Sequence, residues 1–116
     1  MENISQNFRL AVNTDKETVI RILKNNFNEL KDLARDTTRF MFGENYVTIA
    51  QNDDFNLNLS LTDEDGFLYY QNNLDFIPTS SHITLGKQIS LSKEIADTFM
   101  RNSIRAEIIA EFEDLL

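Results

Sequence analysis

The chain has no cysteine, one proline and three glycines. Without cysteine it has no disulfide framework, no thiolate zinc site and no cysteine nucleophile, and it fits a reducing compartment. No stretch reaches 18 consecutive apolar residues, which removes a membrane-spanning helix. The opening residues, MENISQNFRL, carry an acid at Glu2 and lack the apolar run of a secretory leader, so a cytoplasmic location is expected. Histidine occurs once, at His82 in a Ser/Thr-rich stretch, with no second His or Cys to share a transition metal. Its neighbour Ser81 cannot form a nucleophile–base pair with it, because adjacent residues do not orient as a triad requires. Dinucleotide, P-loop and GxSxG motifs are absent.

Positive charge is also scarce, and its distribution is uneven. The net charge is −8. Residues 1–50 balance seven acids with seven bases, whereas 51–116 set twelve acids against four bases. No Lys or Arg lies between Arg39 and Lys87, and that interval holds Glu44, Asp53, Asp54, Asp63, Glu64, Asp65 and Asp75. Where exposed, such a stretch repels nucleic-acid backbones and anionic membranes and attracts basic partners.

What is present reads as one domain, residues 1–116, with 41% hydrophobic and 26% charged residues, enough to build a core without staples. Phe8, Leu10 and Val12 alternate as a short strand. Thr14 and Glu17 have capping-box spacing, and Val19, Ile20, Leu23, Phe27, Leu30 and Ala34 form a stripe, predicting a helix over 15–35. The Asn25, Asn26 and Asn28 cluster is its weak point. From Arg39 the period becomes two, with a hairpin turning at Gly43. Phe55, Leu57, Leu59 and Leu61 alternate with Asn56, Asn58, Ser60 and Thr62, which predicts a further strand. Ser90 or Ser92 caps a helix over 91–102, and alternation from Ile104 to Phe112 predicts a last strand.

The expected fold is therefore α+β: two layers, a mostly antiparallel sheet of five or six strands on two helices. The order β-α-β-β-β-β-α-β is an elaborated split βαβ arrangement, with the first and last strands in mid-sheet.

The segment TDEDGFLYYQNN, residues 62–73, concentrates acids and aromatics. Its DEDG suits a type I turn at 63–66 joining two strands, with Leu68, Tyr70, Asn72 and Leu74 on the core face and Phe67, Tyr69 and Asp75 outside. A calcium-loop register would place Leu61 and Asn72 where a ligand and a bidentate acid are needed, which disfavours an EF-hand. No cofactor, metal or catalytic residue is assigned. The carboxylates fall in turns and on outer faces rather than as buried pairs, so an enzyme is not expected. Aromatics without Lys or Arg do not make a nucleic-acid platform.

The expectation is a small acidic interaction domain that binds, and in its concrete form neutralises, a basic protein, as an immunity protein or antitoxin does. The candidate contacts are Asp53, Asp54, Asp63, Glu64, Asp65, Phe67, Tyr69 and Asp75. A self-associating accessory protein of phage or mobile-element type, forming a homodimer through a sheet edge or helix face, is the second reading. A small-molecule binder or enzyme using a crevice between sheet and helices is the third.

Overall fold

In the computed structural model, which describes residues 5–28, 30–33 and 36–116, six strands form one antiparallel sheet. The strands are β1 (Phe8–Val12), β2 (Leu30–Leu33), β3 (Asp36–Phe42), β4 (Asn45–Gln51), β5 (Asn72–Pro78) and β6 (Ala106–Ala110). Their order across the sheet is β2-β3-β4-β5-β1-β6. The helices are α1 (Lys16–Asn26), α2 (Leu57–Thr62) and α3 (Leu85–Arg101). The α+β class and the antiparallel sheet packed on helices are as the sequence predicts. The chain order differs.

Pleat alternation puts Phe8, Leu10 and Val12 on the same sheet face as Leu74 and Phe76 of β5 and Val47 and Ile49 of β4. Those residues pack with Val19, Ile22 and Leu23 of α1 and Ile95, Ala96 and Phe99 of α3. A chain of rings crosses this face: Phe27 on Phe42, Phe42 on Phe76, Phe76 stacked on Phe8 at 4.4 Å, and Phe8 on Phe112. Phe76 and Phe112 are fully buried, and burial of such a side chain contributes about 1.5–3 kcal/mol.

The predicted helix over 15–35 is two elements. Its N-cap is Asp15, accepting from the Thr18 amide at 2.7 Å, rather than Thr14. It ends at Asn26, whose side chain bonds back to the Ile22 carbonyl, and Phe27 is already extended. Three asparagines in four positions weaken propagation there, and the chain leaves as β2. Ala34, the last position of the predicted stripe, lies outside the described residues. The Gly43 hairpin forms as predicted, with Gly43 at φ 57° in the left-handed region.

Helix α3 starts six residues before the predicted 91, because Thr84 rather than Ser90 or Ser92 is the cap, accepting from Lys87. Ser92 is instead buried in the helix, its hydroxyl bonded to the Ile89 carbonyl. The last strand sits at the sheet edge rather than in its middle, paired with β1 alone.

The largest departure is at 55–61. That segment is not a strand: Leu57–Thr62 is helix α2, and a 3-10 turn, Gly66–Tyr69, follows. The predicted strand-to-strand hairpin about 63–66 is absent, and β4 pairs directly with β5, closing at Gln51 opposite Asn72. Since β4 lies between β3 and β5, both its edges are taken and 55–61 has no edge to join there. Asn56 then caps a helix, its side chain accepting from the Leu59 amide at 3.0 Å.

Candidate functional site

Residues 52–71 form an excursion from the β4–β5 hairpin, and a long connection within a compact sheet is where binding loops are usually found. Two asparagines close its base. The Asn52 amide N–H donates to the Gln71 carbonyl, and its side chain donates to the carbonyls of Leu68 (3.0 Å) and Tyr70 (2.7 Å) while accepting from the Asp54 amide. The Asn56 amide donates to the Tyr69 carbonyl. These bonds replace the ladder the segment lacks, satisfying its backbone locally.

The excursion lies on the sheet face opposite α1 and α3. Arg9, Ala11 and Asn13 alternate with the core-facing residues of β1. Ala11 is nevertheless fully buried, and the Asn13 side chain donates to the Ser60 hydroxyl at 3.2 Å. Arg105 reaches the Ser60 carbonyl at 3.5 Å from the adjoining end of β6. Ser60, the buried residue of α2, is thus the docking point of the helix on the sheet. Gly66 lets the 3-10 turn lie against α2: a Cβ there would stand 2.5 Å from the Ser60 carbonyl oxygen. Tyr70 is buried behind this contact, and burial raises its phenol pKa, with Arg105 opposing and Glu107 adding to the shift.

The outward side is apolar and acidic together. Phe55, Leu57, Leu61 and Leu68 are exposed, Leu57 and Leu61 at 61% and 52%, and lie one turn apart on a single face of α2. Of the exposed large hydrophobic residues among the described residues, half fall in this excursion. Asp53, Asp54, Asp63, Glu64 and Asp65 are exposed on the same segment, and among the described residues none of them forms an ion pair. Asp63 ends α2 and accepts from the Asp65 amide at 2.8 Å, so DEDG is a turn, between helix and 3-10 turn rather than between strands. Among the described residues no group of three His, Cys, Asp or Glu side chains converges to hold a metal ion.

The structure therefore collects seven of the eight sequence candidates on one excursion, and five of them, Asp53, Asp54, Asp63, Glu64 and Asp65, are exposed there. Phe67 and Tyr69 lie on it too, but half-buried in the 3-10 turn, not displayed on an outer strand face. Asp75 is elsewhere, on the open sheet face, held bidentate by Arg9 at 2.7 and 3.2 Å. Sequence reasoning missed Phe55, Leu57 and Leu61, read as the apolar face of a strand, and Leu68, assigned to the core face. The signal that separates them is Asn56, three residues before Leu59, followed by Leu57 and Leu61 at helical spacing.

A groove of about 740 Å³ runs between the β3–β4 turn and the start of α3. Its charged lining, Glu44, Lys87 and Glu94, is exposed, so this is not a crevice with buried carboxylates. No helix among the described residues is long and apolar enough to cross a membrane. Comparison with protein-family models, curated proteins and solved structures returned no match.

Proposed function

We propose that the chain is a cytoplasmic interaction domain that binds a basic protein through the 52–71 excursion and, as immunity proteins and antitoxins do, blocks that protein's action. The observation carrying this reading is the coincidence, on one segment, of exposed apolar side chains with carboxylates that form no ion pair among the described residues. Apolar groups supply buried area, while the carboxylates steer a cationic partner and pair with its Arg and Lys. Four exposed large apolar residues on so short a connection are costly in solution unless something covers them. The half-buried Phe67 and Tyr69 support the surface from behind rather than forming its contact layer.

The test is affinity capture with the wild type beside two variants, Asp63→Lys/Glu64→Lys/Asp65→Lys and Leu57→Asp/Leu61→Asp. All five positions are exposed, so both variants keep the fold, which circular dichroism checks. A basic protein held by the wild type at about 50 mM salt, weakened at about 500 mM and lost from both variants supports the reading. Equal capture by all three proteins removes the excursion from the interface. Neutralisation is then assayed by adding the domain to the purified partner's own activity.

A further inference from the structure

The two edges of the sheet are unlike each other. At one end, β2 is four residues long and its register with β3 shifts between Asp32 and Leu33, an irregularity that protects an edge from pairing. At the other, β6 has regular register along its whole length with β1. It carries no proline, no lysine and one charged residue, Glu107, within Ala106–Ala110. Among the described residues nothing pairs with its outer side.

The backbone direction of that edge follows from one bond. The Asn13 amide donates to the Arg105 carbonyl at 2.9 Å, so Arg105, Glu107 and Ile109 turn their backbone groups toward β1. Antiparallel alternation then leaves the N–H and C=O of Ala106, Ile108 and Ala110 pointing outward, unpaired.

We infer that β6 is a self-association edge, and that two copies of this chain join their sheets antiparallel about a two-fold axis at Ile108. This goes beyond the binding of a basic partner and uses a different surface. The charges select the register. Centred on Ile108, all five residues of β6 pair, and Ile108 exchanges both backbone bonds with the second Ile108. Ala106 then meets Ala110, Glu107 meets Ile109, and Arg105 meets Glu111 of the other copy, twice by symmetry. Arg105 and Glu111 share one sheet face by alternation, since Phe112 is on the core side against Phe8. Within one copy Arg105 reaches the Ser60 carbonyl at 3.5 Å and the Tyr70 side chain, and Glu111 uses Oε2 to accept from the Ser5 amide, which leaves further guanidinium N–H groups and Oε1 for a partner. Centring on Glu107 would set that carboxylate against itself, and centring on Ile109 would set Glu107 against Glu111 twice. Opposite charges across a pair stabilise and like charges destabilise, and of these three only the Ile108 register sets no like charges directly opposite each other.

Sedimentation equilibrium on the wild type at about 10–100 μM is expected to show a dimer that resists salt better than a purely ionic contact. Arg105→Glu and Glu111→Arg, each singly, should raise the dissociation constant about tenfold, and the double exchange Arg105→Glu/Glu111→Arg should restore it. Ile108→Pro removes the outward N–H at the two-fold without touching the bonds to β1 and should give a monomer. A monomeric wild type overturns the inference, as does a dimer indifferent to the single reversals or not rescued by the exchange. Should Ile108→Pro fail to fold, the charge series decides alone.

Discussion

The side-chain amides of Asn45 and Gln88 hold each other in a reciprocal pair inside the protein. Asn45 Nδ2 donates to Gln88 Oε1 at 3.0 Å, and Gln88 Nε2 donates to Asn45 Oδ1 at 2.9 Å. Both are buried, at 2% and 1% exposure. Gln88 Nε2 also donates to the Gln6 carbonyl, so one amide joins the β3–β4 turn, α3 and the entry to β1. Gln88→Leu should cost about 1–3 kcal/mol in urea unfolding, because it leaves the Asn45 amide desolvated without its partner. The double change Asn45→Leu/Gln88→Leu should cost less than the sum of the single ones, since it removes both ends of the pair.

Gly66→Ala should loosen the excursion. The added methyl meets the Ser60 carbonyl at 2.5 Å and its carbon at 3.1 Å, both backbone atoms in the buried part of α2, which cannot step aside as a flexible side chain would. Overpacking of this kind costs about 1–3 kcal/mol. Amide exchange should rise across 52–71 while the amides of β1 and β5 keep their protection. Unchanged exchange there would show that α2 and the 3-10 turn can separate freely.

Asp15 gives stability a pH dependence at the acid end. Its carboxylate accepts from the Thr18 amide, and that bond holds its pKa below the ordinary value of 3.8. A folded-state pKa lowered in this way adds stability that is complete above about pH 4 and fades as pH falls through the lowered value. Asp15→Ala should cost about 1 kcal/mol at neutral pH, the usual worth of an N-cap. Asp15→Asn keeps the acceptor and should be nearly neutral at pH 7. The gap between Ala and wild type should shrink toward pH 2, and a gap constant with pH would mean the cap acts through something other than its carboxylate.

Arg9 and Asp75 sit opposite each other on the open sheet face, as cross-strand partners in the β1–β5 register. Their side chains retain 48% and 32% exposure, so water and salt screen the pair. A double-mutant cycle with alanine should return a coupling below about 1 kcal/mol that falls as salt rises. A larger, salt-independent coupling would mean that this part of the face is covered in solution.

Much of the fold was legible locally. Phe8, Leu10 and Val12 and the Gly43 hairpin each read correctly, because one face of each strand meets the core and the period of two survives in the residue types. The acidic character of 53–65 was equally visible, since charge is additive and needs no fold to count. Tyr70, Asn72 and Leu74 were placed inside correctly, Asn72 being buried with its amide on the Thr14 carbonyl. The asparagine cluster at 25–28 marked the end of α1, though the apolar stripe running past it argued for continuation.

The alternation in FNLNLSL misled because two periods fit it. Leu57 and Leu61 satisfy a helix face as well as a strand face, and asparagine serves either as the polar side of a strand or as a helix cap. Only pairing partners separate these readings, and partners are a property of the assembled sheet.

By itself, then, the sequence determined the α+β class, the main core strands, the two long amphipathic segments and the one-sided charge, all set by residue types within a few positions of one another. Tertiary structure decided where each strand stands. With β4 enclosed by β3 and β5, the 55–61 segment had no edge to join, and Leu57 and Leu61 turned outward on a helix beside the carboxylates. With β1 taken by β5 and β6, the last strand was left at the rim, with one side unpaired among the described residues. Both outcomes follow from the two hydrogen-bonding edges of a strand, which are filled by residues far away in the chain.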